Sequence, residues 1–261
     1  MYSTPTILPI QPVSSFVGQT AYLLETTDST NRFASKLLLS KIKPIEGSVI
    51  LTREQTAGRG QFGTSWYGGK DLNIAMTVIL YPSFLHPRDS FRLNTAVSLG
   101  VYKGLRSYIQ KDLHIKWPND IWYKSKKIAG ILVESSIQGS TLKDVMVGVG
   151  INVNQTTFPE ALPNPGSMKE ALGQQLDINV VVAKICTYIE LEYLALKGGK
   201  VTEIEEEYEA ALLGYGILRT YKTAKGLIKG TIKGIDEAGR LVLDTETGVH
   251  YFALKEIEWI I

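Results

Sequence analysis

Residues 72–80 have the sequence Leu-Asn-Ile-Ala-Met-Thr-Val-Ile-Leu, with a strongly apolar side chain at every second position from Leu72 to Leu80. This alternation predicts a β-strand whose one face is turned towards a core. In the next segment, residues 90–110, apolar side chains recur every four positions, which predicts a long amphipathic helix. A strand followed by such a helix indicates a sheet covered by a helix on one face.

The segments on either side continue this pattern and together predict an α+β domain over residues 1–213. We expect the helices to lie on a mainly antiparallel sheet rather than on a parallel doubly wound one. The other predicted elements are a helix capped by Asp28 or Ser29, a strand over 48–52, a loop over 56–71, a hairpin of 126–136 and 144–154, and helices over 179–197 and 201–213.

The last part of the chain, residues 214–261, has a different pattern. Its apolar runs are short, rich in β-forming residues and separated by Gly or Asp turns. This pattern predicts a small closed β-barrel as a separate C-terminal domain. The predicted strands cover 217–224, 225–235, 240–245 and 249–254.

Composition excludes several classes of protein. The formal net charge of the 261 residues is only +2, so no overall field favours nucleic acid, and any basic chemistry must be local. One cysteine, Cys186, and three scattered histidines offer neither an internal disulfide nor the spacing of a zinc site. No apolar run is long enough to cross a bilayer and the first 20 residues carry no basic residue, so we expect a cytoplasmic protein without membrane partners.

Residues 58–63 fit the pattern G-x-G-x-x-G of dinucleotide-binding loops. The context contradicts that function, because a strand rather than a helix follows and no acid lies about 20 residues onward. A glycine-rich loop carrying Arg59 remains, and it is either an anion-binding loop or a flexible surface turn.

Two further segments carry polar groups that suggest chemistry. Residues 116–120, Lys-Trp-Pro-Asn-Asp, place an amide and a carboxylate at a turn, so Asp120 is a candidate Mg²⁺ ligand or part of a simple Asx turn. Residues 148–152, Gly-Val-Gly-Ile-Asn, put glycines inside a strand, which indicates close approach of a ligand or neighbouring backbone, or else a β-bulge.

Four blocks in this order resemble the biotin protein ligases over nearly the whole chain. They are residues 28–31, residues 55–61, residues 116–121 with 127–132, and residues 148–152. The resemblance implies the α+β fold shared with class II aminoacyl-tRNA synthetases and lipoate ligases, followed by a terminal barrel. It also implies the short form of the family that lacks the DNA-binding domain, because the first block already lies at residue 28.

The activity implied by the resemblance joins biotin to ATP as biotinyl-5′-AMP, with Mg²⁺, and transfers biotin to a lysine of a biotin carboxyl carrier protein such as that of acetyl-CoA carboxylase. It implies catalytic roles for Lys127 and Arg59. The residues it implies for biotin are Ser29, Thr30, Asn31, Gln55, Arg59, Gly60, Gln61, Lys127, Gly148 and Gly150. Those it implies for ATP are Arg59, Trp66, Lys116, Asn119 and Asn152, with Asp120 for the metal.

The chain departs from the family's best-known member, which has arginine where Gln61 and Thr64 stand here. We expect weaker retention of the adenylate, no repressor activity and no DNA partner. Two alternatives remain: a lipoate-protein ligase, whose triple-glycine and His-Asp blocks are missing here, and a non-catalytic biotin-binding sensor. Pairing of two edge strands makes a homodimer conceivable.

Overall fold

The structure, a computed structural model, describes residues 6–7 and 12–260. An eight-stranded mixed sheet dominates it, in the order β1-β2-β3-β4-β8-β7-β6-β5. Strands β2 and β3 are parallel and every other neighbouring pair is antiparallel. The strands are β1 (Thr6–Ile7), β2 (Ala21–Leu24), β3 (Val49–Thr52), β4 (Ile74–Leu80), β5 (Leu113–Lys116), β6 (Asp120–Tyr123), β7 (Lys126–Gln138) and β8 (Thr141–Ile151).

Helices cover both faces of this sheet. Ile50 and Ile79 pack with α1, whereas Val49 and Val78, next to them in sequence, belong to the large core beneath α2 and α4. Neighbouring strand residues point to opposite faces, so β3 and β4 are buried on both sides. The helices are α1 (Thr30–Leu38), α2 (Ser90–Arg106), α3 (Met168–Leu172), α4 (Ile178–Lys197) and α5 (Val201–Ala210).

The predicted α+β class is confirmed, and the hairpin of β7 and β8 turns at the expected residues 138–140. The strands β5 and β6 were not predicted. They form a second hairpin in which Lys116 pairs with Asp120, so residues 117–119 make the turn. This hairpin brings the polar groups of the Lys-Trp-Pro-Asn-Asp segment to one end of the sheet.

The C-terminal residues form a five-stranded antiparallel sheet, in the order β12-β11-β10-β9-β13. The prediction of a closed barrel is therefore wrong, because β12 and β13 lie at opposite edges and the sheet stays open. Short strands with tight turns are common to open and closed sheets, and only pairing of the edges distinguishes them. The strands are β9 (Leu218–Thr223), β10 (Gly226–Ile235), β11 (Leu241–Thr245), β12 (Gly248–Phe252) and β13 (Ile257–Trp259).

The C-terminal sheet is attached to the edge strand β5. The Ile115 N–H donates to the Ala211 carbonyl at 2.9 Å, and the Leu213 N–H donates to the Ile115 carbonyl at 2.8 Å. The Trp117 indole N–H adds a bond to the Gly239 carbonyl at 3.1 Å. Consequently the segment 116–120 touches both sheets. Among the described residues, no helix has the length and apolarity needed to cross a bilayer.

Candidate active site

A cavity of about 280 Å³ opens beside the N-terminus of α1. Its wall includes parts of the glycine-rich loop, β4, β7, β8 and the segment 116–120, together with Leu254 and Lys255 of the C-terminal part. All but one of the predicted site residues line it: Ser29, Thr30, Asn31, Gln55, Arg59, Gly60, Gln61, Trp66, Lys116, Asn119, Asp120, Lys127, Gly148 and Gly150. Asn152 is the exception.

Positive charge dominates the cavity. Among its described lining residues, four carry a cation, namely Arg59, Lys116, Lys127 and Lys255, and Asp120 carries the one carboxylate. The chain as a whole has a formal charge of only +2. These four cations exceed the single carboxylate of the wall, and a concave wall strengthens their field, so the cavity favours an anionic ligand.

Two of these cations are held by carboxylates. Lys127 Nζ lies 2.7 Å from Asp120 Oδ1, and Arg59 Nη1 lies 3.5 Å from Glu134 Oε1. Glu134 also accepts a hydrogen bond at 2.8 Å from the Asn31 side chain, which positions it beside the loop. Any anion that binds here must compete with these two acids.

The third cation, Lys116, rests on aromatic rings. Its Nζ lies 4.4 Å from the centroid of the Trp122 ring and 5.5 Å from that of Trp259. Burial lowers the pKa of Lys116, the carboxylate of Asp120 partly offsets this effect, and the charge of Lys127 adds to it. A partly desolvated ammonium interacts strongly with an incoming anion.

The glycine-rich loop is folded. Residues Gln61–Gly63 form one turn of 3₁₀ helix, closed by a bond from the Thr64 N–H to the Gln61 carbonyl at 3.1 Å, and the Gly60 N–H donates to the Thr64 carbonyl at 2.7 Å. Arg59 and Ser65 form an isolated antiparallel bridge at its base. The loop is therefore held by its own backbone hydrogen bonds, which argues against a flexible turn.

The glycines of β8 provide close approach. A Cβ at Gly148 would lie 2.6 Å from Asn31 Oδ1, and one at Gly150 would overlap the indole of Trp66. The irregularity of the β7–β8 ladder lies between Ser135 and Ile137, away from both glycines, so the β-bulge alternative is wrong. The neighbours that need the space are side chains of this chain.

The end of the cavity near α1 presents neutral polar groups. The Thr30 N–H and hydroxyl both donate to Gln55 Oε1, at 2.9 and 3.2 Å. Because that oxygen is occupied, the amide nitrogen is the donor that Gln55 retains for a ligand. The Ser29 hydroxyl does not cap α1. The Asn31 amide donates to Glu134 at 2.8 Å and to the Leu132 carbonyl at 3.4 Å, and its Oδ1 accepts from the Thr77 hydroxyl, which makes Asn31 a support of the wall.

Two side chains that the sequence predicted to bind ATP, those of Asn119 and Asn152, are buried and hydrogen-bonded to the backbone. The Asn119 amide donates to the Ile131 carbonyl. The Asn152 amide donates to the Gly166 carbonyl at 2.9 Å, and its Oδ1 is buried without a partner. An orphaned acceptor of this kind is costly and calls for a donor. Asn152 is not among the described residues that line the cavity.

Asp120 is a weak candidate for a permanent metal site. Among the described residues, no group of three or more His, Cys, Asp or Glu side chains could hold a metal ion. Magnesium, however, needs only one or two carboxylates when it arrives with substrate phosphates. Asp120 therefore fits a Mg²⁺ ion carried by a nucleotide, with one oxygen left beside the Lys127 pair.

Known proteins resemble this chain in sequence and in fold. The sequence model of the Biotin/lipoate A/B protein ligase family matches residues 23–152, and that of the biotin protein ligase C-terminal domain matches residues 223–261. The biotin--[acetyl-CoA-carboxylase] ligase of Paracoccus denitrificans is 31% identical over 245 residues, which cover 90% of this chain and 98% of that protein. The chain belongs to the biotin protein ligase family.

Other members of the biotin protein ligase family show the same relationship. The bifunctional ligase/repressor BirA of Bacillus subtilis is 30% identical over 245 residues, or 93% of this chain and 74% of that protein. The biotin protein ligase from Aquifex aeolicus in complex with biotin and ATP has a TM-score of 0.76 at 26% identity, over 91% of this chain and 97% of that one. These matches confirm the resemblance and the fold class predicted from the sequence, apart from the barrel.

Several residues of this biotin protein ligase site were not predicted. Glu134 follows an apolar run in β7 and gives no motif signal of its own, although its carboxylate meets Arg59. Leu254 and Lys255 lie in the C-terminal part, whose role the sequence left open. The one available signal was Lys255 itself, a lysine at the end of a β-rich segment, and lysines are common on protein surfaces.

Proposed function

We propose that this protein is an ATP-dependent biotin protein ligase that forms biotinyl-5′-AMP and transfers biotin to a lysine of a biotin carboxyl carrier protein. The observation that carries the proposal is the excess of cations around one cavity. Two results of the comparisons support it: a solved relative is described with biotin and ATP, and two relatives are named for acetyl-CoA carboxylase.

In the first step a carboxylate oxygen of biotin attacks the α-phosphorus of ATP, the bond to the β-phosphate oxygen breaks, and pyrophosphate leaves. Both reactants are anions, so fixed cations must lower their repulsion in the transition state. We assign this role to Arg59, Lys116 and Lys127, which line the same cavity. Magnesium, when bound through the phosphates and Asp120, supplies additional positive charge.

The neutral polar end of the cavity suits the ureido ring of biotin, which presents both donors and an acceptor. We assign Ser29, Thr30 and Gln55 to it, with Gly148 and Gly150 shaping the wall. Trp66, Asn119 and Asn152 are assigned to the nucleotide, and the loop with Gly60 and Gln61 covers the reacting groups. Covering the mixed anhydride protects it from hydrolysis before transfer.

In the second step the uncharged amine of the carrier lysine attacks the acyl carbon of the anhydride. The bond from that carbon to the phosphate oxygen breaks, AMP leaves, and the nitrogen loses a proton to give a neutral amide. We propose residues 1–213 as the catalytic domain, residues 214–261 as the C-terminal domain, and the cytoplasm as the compartment, where ATP is abundant.

Biotin-dependent exchange of labelled pyrophosphate into ATP tests the proposal. The wild-type protein should catalyse exchange with biotin and not with lipoate. Lys127→Ala should lower the rate by about 100-fold or more, a typical cost for losing a charge that stabilises the transition state. The adjacent Lys126 pairs with Glu170 at 3.0 Å outside the cavity, so Lys126→Ala is the matched control and should retain the rate.

The alternatives predict different results in the same assay. Exchange that depends on lipoate would identify a lipoate ligase, and biotin binding without any exchange would identify a sensor. Full exchange by Lys127→Ala, with biotin still bound, would contradict the assigned mechanism.

A further inference from the structure

The C-terminal sheet presents one tryptophan to the edge of the main sheet. Trp259 lies at the end of β13, and its indole N–H donates to the Leu213 carbonyl at 3.0 Å. Its ring meets that of Tyr221 edge-on, with centroids 5.7 Å apart at an angle of 84°. Since Leu213 is itself bonded to Ile115 of β5, the ring is fixed relative to the cavity wall.

Lys116 is the residue that this ring reaches. Its ammonium lies 5.5 Å from the Trp259 centroid and 4.4 Å from that of Trp122, on the neighbouring strand β6. Arg59 and Lys127 each pair with a carboxylate, whereas Lys116 rests on two aromatic faces. An aromatic face attracts a cation without neutralising it.

We propose that Trp259 is a positioning residue for the ammonium of Lys116, and that through this contact the C-terminal sheet sets the affinity of the cavity for a nucleoside triphosphate. Trp122 supplies the second ring from within the main sheet. The two rings thereby hold the ammonium in the cavity wall without forming an ion pair with it. The inference rests on the proposed function in its choice of ligand.

Two observations connect the contact to the cavity rather than to packing alone. Lys116 lines the cavity, and Leu254 and Lys255, from the same C-terminal part as Trp259, line it too. A shift of the C-terminal sheet would therefore move the Trp259 ring and the wall residues Leu254 and Lys255 together. Biotin, which we assign to the residues beside α1, should be insensitive to it.

The test compares the binding of MgATP and of biotin, each measured alone by titration calorimetry, in three variants. Trp259→Leu should weaken MgATP binding about fivefold or more, and Trp259→Phe, which keeps an aromatic face, should stay within about twofold of wild type. Tyr251 on β12 carries an equivalent contact, 5.0 Å from the Arg240 guanidinium, away from the cavity. Tyr251→Leu is the matched control and should leave MgATP binding unchanged.

A double-mutant cycle separates positioning from structural support. Lys116→Met removes the cation, so adding Trp259→Leu to it should weaken MgATP binding no further. If the losses simply add, or if biotin binding falls equally, Trp259 acts only by holding the fold and the inference is wrong. Should Trp259→Leu not fold, Trp259→Met, which also removes the aromatic face, takes its place in the cycle under the same criterion.

Failure of this inference differs from failure of the proposed function. The binding measurements need no turnover, so they remain valid even if the wild-type protein shows no biotin-dependent exchange. Conversely, normal exchange with equal MgATP affinity in Trp259→Leu and wild type would overturn the inference alone.

Discussion

Replacing Glu134 by glutamine should tighten the binding of an anionic substrate. Glu134 Oε1 lies 3.5 Å from the Arg59 guanidinium, which must leave it to bind a carboxylate or phosphate. Glutamine removes the competing charge. It also retains an oxygen that can accept the hydrogen bond that Asn31 donates to Glu134 at 2.8 Å.

The size of the effect follows from the exposure of the pair. The side chains of Arg59 and Glu134 are 43% and 32% exposed, so water screens their attraction. Ion pairs of this kind contribute about 0.2–1 kcal/mol. Removing the competitor should therefore lower the dissociation constant of biotin or of MgATP by up to about fivefold.

Titration calorimetry of both ligands, in low salt, measures this change. The matched control is Glu25→Gln, because Glu25 lies 3.2 Å from Arg53, an arginine as exposed as Arg59, in a pair outside the cavity. Its affinities should equal those of the wild type. Unchanged or weaker binding of both ligands by a folded Glu134→Gln protein would refute the idea that Glu134 competes for Arg59.

Three further substitutions test other parts of the structure. Gly150→Ala places a methyl group against the Trp66 indole, and overpacking of about 1–3 kcal/mol should displace the ring, lowering thermal stability and weakening MgATP binding in titrations. Burial raises the pKa of Glu209, which accepts from the Ile235 N–H at 2.9 Å. The folded state therefore favours the neutral acid over the carboxylate. Glu209→Gln should raise the melting temperature at pH 7, and this gain should vanish below pH 4.5, the usual pKa of the side chain. A gain that persists below pH 4.5 would contradict the assignment. Gln61→Arg adds a cation to the loop and should slow release of biotinyl-5′-AMP in stopped flow, whereas equal off-rates would exclude weak retention as a consequence of Gln61.

Periodicity predicted the long elements of the fold because their buried faces carry apolar residues at regular spacing. The helix α2 and the hairpin of β7 and β8 are long enough for this spacing to be unambiguous. The strands β5 and β6 have four residues each and flank Pro118, so the turn signal outweighed the strand signal. Closure of the C-terminal sheet could not be predicted, since it depends on whether the edge strands pair.

Residues of the cavity were predictable from the sequence where a residue type is unfavourable for the strand or helix that contains it. Glycines at 148 and 150 inside a strand weaken it, and the structure shows that Asn31 and Trp66 occupy the space they leave. Glu134 and Trp259 carry no such signal. An acid at the end of a strand and an aromatic residue in a β-rich segment are ordinary in their local context, and only the tertiary fold brings them to Arg59 and Lys116.

The near-zero net charge of the chain conceals a separation of charges. Acidic residues 203, 205, 206, 207 and 209 are grouped on α5, and none of them lines the cavity. The cations of the cavity come instead from the glycine-rich loop, β5, β7 and the C-terminal part, which are far apart in sequence. In the net charge of the sequence the acids of α5 and the cations of the cavity cancel, whereas a substrate entering the cavity meets, of these two groups, only the cations. Because the field that a substrate experiences is local, the fold rather than the composition determines where positive charge is available to an anion.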